Sequence, residues 1–230
     1  MLPARHGASP RAGLFFFAPL LAETPPKRAI GFVDGQNLFH SARDAFGYQV
    51  PAYDVAALTQ AVCRSRGWKA TQVRFYTGVP DAADNAYWHH FWAAKGRVMR
   101  RKGVVVFTRS LRYRHRSITL PDGSEHTVLV GEEKGIDVRI AVDVIRLAHH
   151  RAFDVGILFS QDQDLSEVAL EIREIAREQR RWIKLACAFP VGPGSRNRRG
   201  VDRTDWIKID RVMYDQCLDP GDYRPRTLSR

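Results

Sequence analysis

Five short apolar, β-branched runs recur along this chain with a helical stretch between each and the next, and that alternation limits its fold more than any other feature. The runs are AIGFVD (Ala29–Asp34), VRFYTGV (Val73–Val79), GVVVF (Gly103–Phe107), DVGILFS (Asp154–Ser160) and IKLACAF (Ile183–Phe189). Between them lie YDVAALTQAVCR, DNAYWHHFWAAKGRVMRR, KGIDVRIAVDVIRLAHH and LSEVALEIREIAREQ, whose apolar residues return every three to four positions. The pattern predicts βαβ units: an α/β fold with a mainly parallel five-stranded sheet flanked by helices on both faces. The period changes once. SLRYRHRSITL and HTVLVG flank the turn signal PDGSE, which predicts a protruding basic β-hairpin over Leu111–Val130. TDWIKIDRVMYDQCL predicts a further short strand and a closing turn. Residues 28–218 read as one domain, 219–230 as a loose tail, and 1–27 as a disordered extension or an over-long start. The LFFFAPLLA run in that extension imitates an export signal, but Pro19 interrupts it.

Charge narrows the partners. The chain has 230 residues, and its 36 Lys+Arg against 25 Asp+Glu give +11. Such an excess favours a polyanion, chiefly RNA, with DNA possible. No apolar run reaches the ~18 residues needed to span a bilayer, so no membrane partner is expected. The three scattered cysteines, Cys63, Cys187 and Cys217, argue against a disulfide framework or a zinc ribbon and suit the reducing cytoplasm. The oligomeric state leaves no mark on the sequence.

Against this basic background the acids at strand ends stand out. Asp34 ends the first run in FVDGQN, with Asn37 three residues on. Asp137 opens the helix after the hairpin, and Asp162 and Asp164 follow the fourth run in SQDQD. Each has a plain structural reading, since Asp caps helices and fixes Asx turns. Together they describe a crevice at the carboxyl ends of parallel strands, where sites in such folds lie. Like charges at ~4 Å repel by several kcal/mol at an effective dielectric near 20. A hard divalent ion removes that penalty, and Mg²⁺ or Mn²⁺ suits a few carboxylates and several waters.

FVDGQNLF, EKGIDVRIAVDVIRLA and ILFSQDQDLSEV, in that order, resemble the NYN domain family, relatives of PIN-type ribonucleases, in its LabA-like branch. The resemblance runs from about Ala29 to Phe189. It implies a single PIN-like domain with strand order 3-2-1-4-5 and a metal-dependent acidic site acting on RNA. It assigns Asp34, Asp137, Asp162 and Asp164 as metal-binding acids and Asn37 as the group that orients a carboxylate or the scissile phosphate. Two positions depart or stand apart. Gln161 follows Ser160 where the family commonly has a small residue. Asp143 matches the pattern but lies ~240° around an ideal helix from Asp137, which makes it a second-tier, outer acid.

For RNA binding the hairpin arm offers Arg109, Arg112, Arg114 and Arg116 around Tyr113, with phosphates meeting arginine and a base meeting tyrosine. Lys134 can contact a phosphate or pair with Glu132 or Glu133. Arg196, Arg198 and Arg199 form a second basic loop. The aromatic residues Tyr87, Trp88, Phe91 and Trp92 share a helix and invite a base-stacking reading, but their spacing puts Trp88, Phe91 and Trp92 on one face, which reads as core. The first reading is a metal-dependent endoribonuclease. The alternative is a non-catalytic RNA-binding module using the basic hairpin. A nucleotide-sugar transferase built on the Asp162–Asp164 pair fits the basic hairpin poorly.

Overall fold

The computed structural model describes residues 25–225. The expected N-terminal extension falls outside these up to residue 24, and the end of the tail from residue 226. Eight strands and six helices follow in chain order among the described residues: β1 (Arg28–Asp34), α1 (Gly35–Phe46), α2 (Val55–Ser65), β2 (Lys69–Val79), α3 (Ala86–Arg101), β3 (Val105–Ser110), β4 (Arg112–Thr119), β5 (Glu125–Glu132), α4 (Ile136–His149), β6 (Val155–Phe159), α5 (Ser166–Glu178), β7 (Lys184–Pro190), β8 (Asp205–Ile209) and α6 (Arg211–Asp215).

The main sheet has the order β3-β2-β1-β6-β7-β8, with every pairing parallel. Six strands replace the five expected. The added one is β8, the short strand expected in TDWIKID, which joins the sheet at its edge; in it Ile207 and Ile209 are buried while Asp205, Trp206 and Lys208 are exposed. An edge strand with one covered face alternates in this way, so it lacks the continuous apolar run of its neighbours. β1 and β6 lie at the centre; β6 is wholly buried, and β1 is buried from Ala29 onward.

Period-two alternation divides β1 between two cores. Ala29 and Val33 face the layer of α1, α2, α3 and α6, with Leu38, Leu58, Phe91 and Tyr214. Ile30 and Phe32 face α4 and α5, with Ile140, Val144, Val168 and Ile172. Phe32 is fully buried, and truncating it to Ala costs about 3–5 kcal/mol. Gly31 lets α2 approach: a Cβ there would sit 2.8 Å from the Thr59 hydroxyl.

β1 is followed by α1 on one face, β6 by α5 on the other. Strand order therefore reverses between them, which opens a crevice at their carboxyl ends. β4 and β5 leave this body as a separate antiparallel two-stranded sheet, in register from Arg112 opposite Glu132 to Thr119 opposite Glu125. Its base is tied to the body where Leu111 N donates to Val79 O and Asp81 N donates to the Tyr113 hydroxyl. Of the tail read as loose, Asp219 is anchored: its carboxylate accepts from the buried Lys95 ammonium at 2.9 Å and from the Tyr223 hydroxyl. Among the described residues no helix is long and apolar enough to cross a membrane.

Candidate active site

The crevice is lined by Asp34, Glu133, Lys134, Gly135, Ile136, Asp137 and Asp162. Three chain segments meet there: the end of β1, the β5–α4 junction and the turn after β6.

Asp34 ends β1 and caps α1, its Oδ1 accepting from Asn37 N at 3.0 Å. Burial pushes its carboxyl up to about 6, and the nearby Asp162 adds to the rise, against hydrogen bonds from Asn37 and Ser160. Ser160 in turn rests on Cys187, whose thiol donates to its carbonyl oxygen. Burial pushes that thiol up to about 12, so it packs and does not react. Asp162 caps the short 3₁₀ turn Gln163–Leu165, its Oδ1 accepting from Asp164 N. The Asp34 and Asp162 carboxylates therefore each cap a helix or turn while lining the crevice. Asp164 itself is exposed and outside the crevice lining.

Asp137 stands in the first turn of α4, whose cap is Gly135 in the left-handed region, φ 76°. That conformation strains any other residue, and a Cβ there would lie 2.6 Å from the Arg109 guanidinium, which would have to move aside. Arg109 is thereby seated against the crevice wall. Glu133 is the acid that the sequence reading left as a mere partner for Lys134. Its carboxylate accepts from Gly78 N, and a Cβ on residue 78 would sit 2.6 Å from its Oε2, so glycine there makes room for it. Burial pushes Glu133 up to about 7, with the charges of Asp34 and Asp137 adding to the rise and Gly78 N opposing it. Nothing in EEKG flags this in sequence, because its burial comes from the return of the chain beneath β2.

The remaining candidates divide. Asn37 Oδ1 accepts from Gln161 N at 2.9 Å, tying α1 to the turn after β6. Gln161, the departure from the family pattern, accepts from Ser41 and donates to the carbonyls of Asn197 and Arg199, pinning the basic loop against α1. In that loop Arg196 approaches Asp44, Arg198 reaches the Gly192 carbonyl and Arg199 pairs with Asp202. Asp143 is buried away from the crevice lining, with its Oδ2 taken by Arg74 and Tyr76 and its Oδ1 by Arg139 and Arg146. Its bonds are those of a structural acid that joins α4 to β2. Arg112, Arg114 and Arg116 are exposed along β4, the last two within 3.8 Å of Glu132.

The donor set is all oxygen, which suits a hard cation. Among the described residues, however, no group of three or more His, Cys, Asp or Glu side chains is drawn together tightly enough to hold a metal ion. Asp34, Asp162 and Glu133 lean instead on their own donors, Asn37 N, Asp164 N and Gly78 N. This arrangement fits an ion that takes one or two carboxylates and keeps its waters.

A family model, the NYN domain, matches residues 28–178, from the first residue of β1 to the last of α5, and so includes every acid of the crevice. The chain belongs to the NYN domain family. Membership fits the PIN-like sheet and supports nuclease-type hydrolysis at that coarse level; it does not reach the LabA-like branch. Among solved structures, a protein of unknown function from Vibrio parahaemolyticus is similar at 18% identity and a TM-score of 0.50, covering 84% of this chain and 97% of that one. At this identity the likeness concerns the NYN chain's fold alone. A ribokinase from Giardia lamblia reaches 9% identity and a TM-score of 0.36, covering 77% of this chain and 54% of that one. None of the curated proteins matches the chain.

Proposed function

We propose that this NYN protein, of the LabA-like branch, is a metal-dependent endoribonuclease working in the cytoplasm. One observation carries the reading: a chain of net charge +11 gathers Asp34, Glu133, Asp137 and Asp162 in one crevice, where strand order reverses.

Of Asp34, Asp137 and Asp162, one or two would hold Mg²⁺ or Mn²⁺ directly and the rest through its waters. An ion held there would supply an activated water and would neutralise charge growing on the phosphodiester. The chain's own groups do the rest. Glu133, held near neutrality in its proton affinity, accepts the proton of the attacking water at Oε1 or Oε2, as a general base poised near working pH should. Lys134 and the Arg109 guanidinium face the same wall and counter the charge of the non-bridging oxygens. Asn37 spends its Oδ1 on Gln161 N, which leaves its amide nitrogen to donate to a phosphate oxygen. In-line attack leaves 5′-phosphate and 3′-hydroxyl ends.

The test is cleavage of labelled single-stranded RNA, hairpin RNA and single-stranded DNA with Mg²⁺, Mn²⁺ or EDTA, by wild type and Asp162→Asn. Metal-dependent cutting of RNA that the variant loses supports the reading. RNA binding without cutting in any metal would make the chain a non-catalytic RNA-binding module. That second reading is favoured by the acids being spread out, with no tight cluster of three among the described residues.

A further inference from the structure

A second, larger cavity opens beside the acidic crevice, among Gln36, Phe39, His40, Arg43, Trp88 and Gly131. It shares two chain segments with the crevice. Gln36 is two residues beyond Asp34 at the start of α1, and Gly131 is two residues before Glu133 at the end of β5. Two residues reach at most about 7 Å, so the two sites are neighbours on one surface.

Aromatic faces build this cavity. Phe39 forms the floor, its ring 6.1 Å from Trp88 and 5.4 Å from His40, with the Arg43 guanidinium 5.9 Å above it. Phe39 is buried, whereas His40 and Arg43 are exposed and Trp88 half-buried. Trp88 is fixed in place from two sides. Edge-on contacts with Tyr87 and Phe91 hold its indole at 5.3 and 5.2 Å. Asn85 caps α3 by accepting from Trp88 N, which holds the backbone. The helix face read as core is therefore only partly so: Phe91 and Trp92 are buried, but Trp88 presents part of its ring to the cavity. Gln36, Gln49, Asp84 and Asn85 add polar groups to its lining.

We propose that this cavity is a base-binding subsite for single-stranded RNA, in which an unpaired nucleobase stacks on Trp88 and His40 while its phosphodiester lies in the acidic crevice. The assignment rests on the nuclease reading above for the identity of the polymer. An exposed aromatic face, an adjoining guanidinium and polar groups around them are what an unstacked base requires. A duplex keeps its bases stacked and paired, so it has none to offer this site.

The experiment measures affinity, without cleavage, of the full chain carrying Asp162→Asn for a single-stranded RNA decamer and for the same sequence as a duplex, across a salt series. Further variants are Trp88→Leu, Trp88→Phe and the exposed His40→Ala. Loss of one stacked base weakens binding on the order of tenfold. Trp88→Leu should show that loss on the single strand, His40→Ala should move in the same direction, and Trp88→Phe should restore most of it. Duplex affinity should stay unchanged, as should the slope of log affinity against log salt, since no phosphate contact is removed. Equal losses on single strand and duplex, or no loss with His40→Ala and Trp88→Leu both folded, would overturn the subsite. Metal-dependent cutting by the wild type alongside that result would leave the nuclease reading standing; no RNA binding by any form would sink both.

Discussion

Asp34 serves the fold and the crevice at once, and the two duties separate under substitution. Asn caps a helix as well as Asp does, whereas Ala forfeits about 1 kcal/mol. Asp34→Asn should therefore keep its thermal stability and its RNA affinity while cleavage falls at least a hundredfold; a variant that still cuts at the wild-type rate would remove Asp34 from the site. Glu133 presents the opposite balance. Burial and the charges of Asp34 and Asp137 push its carboxyl from an ordinary 4.5 to about 7, so its ionised form is held at a cost. Glu133→Gln removes that charge and keeps an oxygen for Gly78 N. At pH 8 the variant should unfold later than wild type, by on the order of 1–3 kcal/mol in urea melts, while cutting more slowly. Stability gained where activity is lost is what strain at a working site predicts. Mn²⁺ should raise the wild-type melting temperature and raise that of Asp162→Asn less, a readout that needs no substrate.

Among the elements, the β4–β5 pair is the one least committed to the core, and its chemistry lies in its exposed arginines. Arg114 and Arg116 share Glu132 across the pair, at distances of 3.8 and 3.7 Å, and both are exposed. Such surface pairs add little to stability, which leaves the cations free to meet phosphate. Replacing Arg112, Arg114 and Arg116 together by Ala should lower the salt slope of RNA affinity by about 2, at roughly 0.7 per phosphate contact on a single strand, with no change in the melt. An unchanged slope would assign these arginines to solubility and edge protection. The elements also show what a sequence discloses. Strands buried on both faces are written as unbroken apolar runs, so β1 and β6 and the acid at the end of each were legible. β8 was harder to count because only Ile207 and Ile209 of its five residues are buried. Helix geometry set Asp143 apart from Asp137, and its four partners now explain the burial. Glu133 was illegible for a different reason. Its environment is made by Gly78, 55 residues away, and no local pattern encodes such an approach. Trp88 shares the periodicity of Phe91 and Trp92, and periodicity gives a face without giving the depth at which that face ends.

At the scale of the whole molecule, the matched family segment stops at residue 178, while the sheet continues through β7 and β8 and the chain returns to α3. That return is closed by the Lys95–Asp219 pair, 1% and 6% exposed. Lys95 also donates to the Tyr53 carbonyl, Asp219 N donates to Ala52 O, and Tyr53 and Leu218 form a β-bridge. Burial lowers the proton affinity of Lys95, with Asp219 opposing. Burial alone would raise Asp219, but the hydrogen bond and charge of Lys95 outweigh it and hold the carboxyl below its usual range. A carboxyl whose folded pKa lies below its unfolded one adds stability above the unfolded value. That share is lost as pH falls through the folded one, so an acid-side loss beginning near pH 4 is expected in the wild type. Asp219→Ala should abolish this component and cost about 3–5 kcal/mol at pH 7, because it strands a buried ammonium. Pairing Lys95→Met with Asp219→Leu removes both charges and should recover most of that loss. Urea melts of the three forms from pH 3 to pH 7 check the argument. If Asp219→Ala melts with the wild type throughout, the return of the chain to α3 is not part of what holds the sheet.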